Sequence, residues 1–600
     1  MTNYRMKFDD NQISVIKADS GPLLVTAGPG SGKTAVLTHR ILYLHEKLKI
    51  PYEEILVITF TKAAALEMKS RFEKLCESDS KVTFCTFHSL FYSIIKDFKK
   101  DSFNIISQNE KLNILKTVLM DLKIDLNRID LVLLLDDFSR YKNLLDKKGD
   151  FSSYQFDEKD FIKIYKMYND ELILRKLLDY DDFVICVEKY FNEDETFFLK
   201  WQNKFTYCLI DEFQDINYSQ YDIIKKLFTG KGVFAVGDED QSIYAFRGSS
   251  ADICLKFKKD FNANVIKLVN NYRSRKSIVE AGMNLISYNT LRFDKKIVSK
   301  SRGEGEFKAK EYISQFDEYD SFAKEIKYGL NKGKSVAILL RTNFVSDTLK
   351  YVLLKNKIQI ECEKTSKIPQ NTEIIDDFLA YFKLSLGELT YKNLLRIANK
   401  PNRFISRNFL SECKYNEKNS EIFSYVNLYK NCEDKNYLKA NIFKLERNIK
   451  ELKKLDSFEG LIYIMKVIGY EKYLFEKQYD YKNDFEEMKF IARDFPLPSD
   501  FIDYYELLNN EENKVIKPEG NSLKVCTIHA SKGREWDEVF IPDVNEGNIP
   551  HKRAVNKEDT EEERRLFYVA MTRAKEKLWI GFVNDPSRNL KPSIFKEELK

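Results

Sequence analysis

Eight residues, Ala27-Gly-Pro-Gly-Ser-Gly-Lys-Thr34, follow directly on the apolar run Leu23-Leu-Val-Thr26 and narrow the possible folds more than any other stretch of the chain. An apolar run that ends in closely spaced glycines reads as a buried strand turning into a helix. Gly28, Gly30 and Gly32 let the backbone curl until successive N–H groups point inward at an anion, reinforced by the positive end of the helix that follows. Such a loop cradles phosphates. Lys33 then reaches the β- and γ-phosphates, and Thr34 offers a hydroxyl to Mg²⁺. The strict spacing G-x-x-x-x-G-K-[ST] has glycine where this chain has Ala27, with Pro29 and Ser31 filling the variable positions. A glycine-rich turn capping an ordinary helix looks the same locally, so the rest of the chain has to decide.

A length of 600 residues exceeds what one hydrophobic core serves, and implies about three to five domains. The chain carries 98 basic and 93 acidic side chains, a net charge of +5, so a polyanion would be held by local basic patches and not by a global field. Nine cysteines are scattered without a C-x-x-C pair, which argues against structural zinc and iron–sulfur clusters and for a reducing, cytoplasmic compartment. Neither a secretory leader nor an apolar stretch of membrane-spanning length is expected, so no membrane partner is expected either.

Short β-rich runs alternate with longer helical segments at both ends of the chain, the pattern of parallel α/β layers. The runs are Leu23–Thr26, Ile55–Thr59, Val82–Cys85, Cys208–Ile210 and Val233–Val236, then Val336–Leu340, Val525–Ile528, Val539–Ile541 and Leu578–Ile580. Between them, roughly 89–199 and 386–515 read as mostly helical insertions, and the polar run Asn509–Ser522 reads as a connection back into the second α/β layer.

A second phosphate signal is Cys208-Leu-Ile-Asp-Glu-Phe-Gln-Asp215, where a buried strand delivers adjacent carboxylates to a sheet edge. Asp211 suits Mg²⁺, held through water, and Glu212 suits the acceptance of a proton from the water that attacks a γ-phosphate. An acidic strand end alone is often a solvated turn. After a phosphate loop it carries more weight.

With these come further motifs in order: Phe8-Asp-Asp-Asn-Gln12, Thr59-Phe-Thr-Lys-Ala-Ala-Ala-Leu-Glu-Met68, Thr86-Phe-His-Ser89 and Val236-Gly-Asp-Glu-Asp-Gln-Ser-Ile-Tyr-Ala-Phe-Arg-Gly248. Asn271-Tyr-Arg-Ser274, Thr527-Ile-His-Ala-Ser-Lys-Gly-Arg-Glu-Trp536 and Glu561-Glu-Glu-Arg-Arg-Leu-Phe-Tyr-Val-Ala-Met-Thr-Arg573 complete the series. The chain resembles a UvrD/Rep/PcrA-type superfamily 1 helicase from Phe8 to Glu576. That resemblance implies an α/β fold with two RecA-like parallel-sheet domains, 1A (1–88 and 200–267) and 2A (268–385 and 516–600), with helical subdomains 1B (89–199) and 2B (386–515) inserted in them.

It also implies ATP and Mg²⁺ as cofactors, with Gln12 reading the adenine edge, Tyr272 stacking on the base and Glu535 contacting the ribose. Gln241 would sense the γ-phosphate, while Arg273 and Arg573 would neutralise transition-state charge. A surface ion pair is the commoner fate of a lone arginine. Phe60, His88, Tyr244, Phe246, Arg247 and His529 would form the track for single-stranded DNA, by base stacking and backbone contacts. For Phe60 and Phe246, core packing is the competing reading.

Departures from the family pattern are visible. Lys62 and Ala63 replace the usual Asn-Lys after Thr61, Phe246 stands where tryptophan is common, and the Gly-Gly-x-x-Phe segment is not recognisable in Ile360–Ile374. The function expected is an ATP-dependent 3′→5′ DNA helicase and translocase in replication, repair or recombination. It would act on single-stranded DNA and single-strand/duplex junctions. One alternative is the motor subunit of a nuclease-coupled repair or phage-defence complex, which would add repair or nuclease proteins as partners. Another is a non-enzymatic DNA-binding factor on the same fold.

Overall fold

The apolar runs become strands in the computed structural model, which describes residues 8–76, 81–99, 103–126, 129–143, 151–244, 252–342, 345–362, 373–416, 423–432, 435–479, 481–512 and 522–600. The chain divides into two units, Met1–Glu311 with Ile528–Lys600, and Tyr312–Thr527. Both combine parallel strands with helices, so the class is α/β.

In the first unit six strands form one parallel sheet: β1 (Leu23–Ala27), β2 (Ile55–Thr59), β3 (Thr83–Thr86), β4 (Tyr207–Ile210), β5 (Gly232–Gly237) and β6 (Asn264–Leu268). Their order across the sheet is β3-β2-β4-β5-β1-β6. Register follows burial. Thr26 of β1 faces Gly237 of β5, and Ile210 of β4 faces Ala235, so the carboxyl ends of these strands come out along one edge.

Side chains alternate between two cores, as a period of two requires when both faces are covered. Leu24, Leu56, Ile58, Cys208, Ile210, Val233 and Ala235 enter one core with the helix Phe87–Phe98 and the helices beyond it. Leu23, Val25, Val57, Leu209, Phe234 and Val236 enter the other with helix α1 (Asp10–Ile16) and helix α2 (Lys33–Glu46). Because the central strands of this sheet are buried on both faces, only their ends can present polar groups.

The described residues between Ile106 and Leu172 build a separate helical core in this unit around Leu115, Leu119, Phe138, Phe161, Ile164 and Tyr168. Strands Trp536–Ile541 and Ala574–Val583 pair in parallel and carry Glu535 and Arg573 just before them. In the second unit Leu523–Thr527 lies between Val336–Leu340 and Ile360–Cys362, all parallel, and the remainder is mostly helix. There, buried Asp377 accepts from Lys400 and Tyr470 and forms an ion pair with Arg396 at 2.8 Å. Burial raises its carboxyl above the usual range despite these partners.

Each expected strand is present, with ends shifted by a few residues at most. Strand β6 is absent from the expected set, because the burial of Asn264-Val-Ile-Lys-Leu268 is partial and the run lacks a continuous apolar stretch. In the expected connection Asn509–Ser522, residues 509–512 continue the helix Pro498–Glu512, and 513–521 lie outside the described residues. Of the divergent stretch 360–374, residues 360–362 are strand, 363–372 lie outside the described residues, and a helix begins at Glu373. Among the described residues no helix is long and apolar enough to cross a membrane.

Candidate nucleotide and nucleic-acid site

The phosphate loop leaves β1 at Ala27 and enters α2 at Lys33, with Gly30 and Gly32 at φ of 66° and 78°. Left-handed backbone is where glycine is tolerated best. Space demands it as well: a Cβ on Gly30 would lie 2.6 Å from the Cβ of Arg273, and one on Gly32 would lie 2.9 Å from Nε2 of Gln12. The amide of Gly28 donates to Leu268 O at 3.1 Å, and the amide of Tyr272 donates to Gly30 O at 2.9 Å, so the loop is stitched to the end of β6 and the segment after it. Lys33 Nζ donates to Ala27 O at 3.3 Å, folded back across its own loop. Ser31 Oγ is buried without a hydrogen-bond partner.

Gln12 is buried and donates from Nε2 to Ser31 O at 2.9 Å. Its position is set by a capping box in which Asp9 accepts from the Gln12 amide while Gln12 Oε1 accepts from the Asp9 amide. The second Asp9 oxygen accepts from Asn270 Nδ2 at 2.8 Å and from Tyr272 OH at 2.5 Å. The Tyr272 ring is 46% exposed, leaving a face available to stack. Burial and the Asp9 carboxylate push its phenol up to about 12.

At the end of β4, Asp211 and Glu212 lie within the field of Lys33. Burial and the Glu212 charge, partly offset by Lys33, push Asp211 up to about 7. Burial would raise Glu212 too, yet Lys33, Lys532, Gln214 and Arg573 hold it below its ordinary value. Glu212 adopts a left-handed backbone with φ of 50°, a conformation costly for a side-chain-bearing residue that clusters at functional sites. Its carboxylate accepts from Gln214 Nε2 at 2.6 Å, and Gln214 Oε1 accepts from the Asp238 amide at 2.9 Å. Gly237 makes that approach possible, since a Cβ there would lie 2.5 Å from Gln214 Oε1.

Past β5, Gln241 Nε2 donates to Asp238 Oδ2 at 2.5 Å and its Oε1 accepts from Arg573 Nη2 at 3.0 Å. Arg573 is buried and also donates to Val569 O, Arg534 O and Thr572 Oγ1. Burial and the neighbouring Arg273 cation pull its guanidinium down to about 9. Arg273 pairs with Glu535 at 2.6 Å, and Glu535 also holds Lys575 at 2.9 Å. Two guanidinium groups within each other's field favour added negative charge beside them.

Mg²⁺ fits the donor chemistry: Thr34 lies in the first turn of α2, and Asp211 is an oxygen donor where acidic charge is already in excess. A nearby acid cluster fits less well. Asp238, Glu239 and Asp240 bring carboxylate oxygens within 4.8 Å of one another. Lys295 Nζ sits among them at 2.5, 2.9 and 3.2 Å, and Arg292 forks Asp240 at 3.0 and 2.8 Å. The protein supplies its own cation at that cluster.

Of the residues expected to line a nucleic-acid track, Phe60 and Tyr244 stack with centroids 5.1 Å apart and planes 17° apart, and the His529 ring lies 6.4 Å from Tyr244. His88 meets Tyr180 edge-on at 5.3 Å. Phe246 and Arg247 lie outside the described residues. Lys532 joins the two halves of the site: its ammonium pairs with Asp215 at 2.5 Å, donates to Gln241 O at 2.9 Å and lies 5.1 Å from the Tyr244 ring centre. Burial pushes Asp215 up to about 7 even so.

Asp9, Asp215, Asp238 and Lys532 stand inside the sequence motifs with no role expected of them, and Tyr180, Arg292 and Lys295 lie outside those motifs. Tyr180 is 49% exposed beside His88. Arg292 and Lys295 fall in Arg292-Phe-Asp-Lys-Lys296, where nothing separates a buried cation from a solvated one.

Comparison with known proteins identifies the family. Residues 8–262 match the UvrD/REP helicase N-terminal domain, and residues 266–493 and 479–585 match the UvrD-like helicase C-terminal domain. The chain is 29% identical over 625 residues to the ATP-dependent DNA helicase Rep of Buchnera aphidicola subsp. Acyrthosiphon pisum, covering 96% of this chain and 95% of that protein. It is 31% identical over 630 residues to the ATP-dependent DNA helicase PcrA of Staphylococcus epidermidis, covering 98% and 86%. The PcrA of Staphylococcus aureus is 30% identical over 634 residues, with 98% and 85% covered.

Proposed function

We propose, for a chain that belongs to the UvrD/Rep family of ATP-dependent DNA helicases, that ATP hydrolysis at the carboxyl edge of the first sheet drives 3′→5′ movement along single-stranded DNA and opens duplex ahead of it. The chain is a UvrD-type helicase and an enzyme, so the non-enzymatic reading is not carried forward. One observation carries the mechanistic reading: a continuous set of hydrogen bonds links Glu212, Gln214, Asp238, Gln241 and Arg573, beside a phosphate loop that touches the Arg273 segment.

In this reading Tyr272 stacks on the adenine and Gln12 reads its edge, while the loop amides from Gly28 to Thr34 and the Lys33 ammonium hold the phosphates. Asp211 and Thr34 hold Mg²⁺, which supplies charge neutralisation on the phosphate oxygens when bound. Glu212 accepts the proton of the attacking water, its carboxylate aimed by Gln214. Gln241 contacts the γ-phosphate, and Arg273 and Arg573 meet the charge that develops as the bond breaks. Glu535 positions Arg273 and contacts the ribose.

Residues 1–88 with 200–267 form domain 1A and residues 268–385 with 516–600 form domain 2A, with 89–199 and 386–515 as subdomains 1B and 2B. Bases stack along Phe60, Tyr244, Phe246 and His529, with His88 and Arg247 on the backbone. Opening and closing of 1A against 2A during each ATP cycle converts chemistry into steps. The protein acts in the cytoplasm on single strands and junctions, with repair or nuclease proteins as partners.

A strand-displacement assay tests this, with 3′-tailed and 5′-tailed duplexes and with or without ATP. ATP-dependent release from the 3′-tailed substrate is expected. Release from the 5′-tailed substrate alone would reverse the polarity, and ATP-independent release would remove the motor.

A further inference from the structure

Lys295 is buried in an acid cluster beside the proposed ATP site, and the established activity assigns it no task. Its ammonium faces Asp238, Glu239 and Asp240, whose summed charge holds it protonated against the cost of burial. Two of these acids have other strong partners. Arg292 forks Asp240, while Glu239 accepts from the Thr26 hydroxyl at 3.1 Å and from the Phe293 amide at 3.0 Å. Asp238 differs: its second oxygen accepts the side-chain amide of Gln241.

We infer that Lys295 is a positioning residue: by pairing with Asp238 it fixes the polarity of the Gln241 side-chain amide, so that Gln241 presents its oxygen to Arg573. The logic is donor against acceptor. An ionised Asp238 has only acceptors and Arg573 has only donors, so a glutamine between them has one orientation that satisfies both. Burial alone would raise Asp238, and Lys295 together with Lys33 brings it below its ordinary value. With Lys295 gone, a protonated Asp238 becomes a donor. Gln241 would then turn its oxygen to Asp238 and its NH₂ toward the Arg573 donors, an arrangement that leaves buried donors unpaired.

This inference rests on the proposed roles of Gln241 and Arg573, and the test separates the two. Steady-state ATP hydrolysis is measured on the full chain with saturating oligothymidylate, for wild type, Lys295→Met, Gln241→Ala and the double variant Lys295→Met/Asp238→Asn. Lys295→Met is expected to lower kcat by about tenfold or more while the KM for ATP stays within about twofold, because orientation is lost and phosphate binding is kept. In the double variant the side chain at position 238 offers an amide oxygen that needs no counter-cation, so kcat should return to within about fivefold of wild type, a difference of about 1 kcal/mol.

A space-filling role would not produce that rescue. Unchanged kcat in Lys295→Met, or a double variant no faster than the single one, overturns the inference. If Lys295→Met does not fold, the double variant decides alone: turnover within that margin supports it, and turnover as low as Gln241→Ala overturns it. Turnover lost in Gln241→Ala but kept in Lys295→Met sinks the Lys295 role alone. Unchanged turnover in Gln241→Ala removes the Gln241 role and this inference with it.

Discussion

Two acid clusters stand at the ends of neighbouring strands, Asp211–Glu212 after β4 and Asp238–Glu239–Asp240 after β5, and the protein treats them in opposite ways. The second is neutralised from within by Lys295 and Arg292, at contact distance. The first shares the field of Lys33 and is left with Asp211 pushed up to about 7 by burial and by its neighbour. Both read as short runs of adjacent acids in the sequence, two in one and three in the other. What separates them is where a cation is built in and where the charge is left for a ligand to answer, so one cluster holds the edge and Gln241 in place and the other acts on the nucleotide directly. Active sites commonly give up stability in this way.

The comparison can be broken by mutation, beginning with the largest effect. Arg573→Ala is expected to lower kcat for DNA-stimulated ATP hydrolysis by about 10³–10⁵, with a far smaller change in the KM for ATP. A loss under tenfold would make Arg573 part of the bracing. Glu212→Gln should cost about 10²–10⁴ in kcat through loss of the base, and wild-type turnover would move the first cluster out of the chemistry.

Asp240→Asn leaves Arg292 and Lys295 short of a buried partner and should lower unfolding free energy by about 3–5 kcal/mol. Denaturant unfolding that matches wild type would remove the bracing role. Tyr244→Ala lies outside both clusters and should weaken single-strand binding by about 1–3 kcal/mol per stacked base, read as oligothymidylate affinity at constant salt. Equal affinity would leave the Phe60–Tyr244 stack as packing.

The last effect has the opposite sign. Asp211 has a carboxyl raised in the folded state, so its contribution to stability is present below its unfolded pKa of 3.8 and is lost as pH rises toward about 7. Asp211→Asn should therefore raise the Tm of the nucleotide-free protein at pH 8 and flatten its fall between pH 4 and pH 7, in a scan without divalent cations. A lower Tm in the variant would place Asp211 among the bracing acids.

Much of this edge could be read from sequence, and the reason is physical. A strand buried on both faces must be apolar along its length and can change character only at its end, so Thr26, Thr59, Ile210 and Val236 each announce where a functional segment begins. Loop glycines are legible for a similar reason, because Gly30 and Gly32 answer to backbone geometry. Partners brought from distant segments leave no local mark. Lys295 reaches Asp238 across 57 positions and Lys532 reaches Asp215 across 317, and each sits in a stretch as charged as the surface around it. Strand β6 was hidden for the converse reason: as an edge strand it is only partly buried, so its apolar pattern is weak.

The account turns on whether phosphate chemistry at this sheet edge answers to a polynucleotide. Steady-state ATP turnover of the wild-type chain, with and without oligothymidylate and with Lys33→Ala alongside, measures that directly. Single strands should stimulate turnover by about tenfold or more, and Lys33→Ala should abolish both the basal and the stimulated rates. Turnover indifferent to DNA, or surviving in Lys33→Ala, would contradict the account.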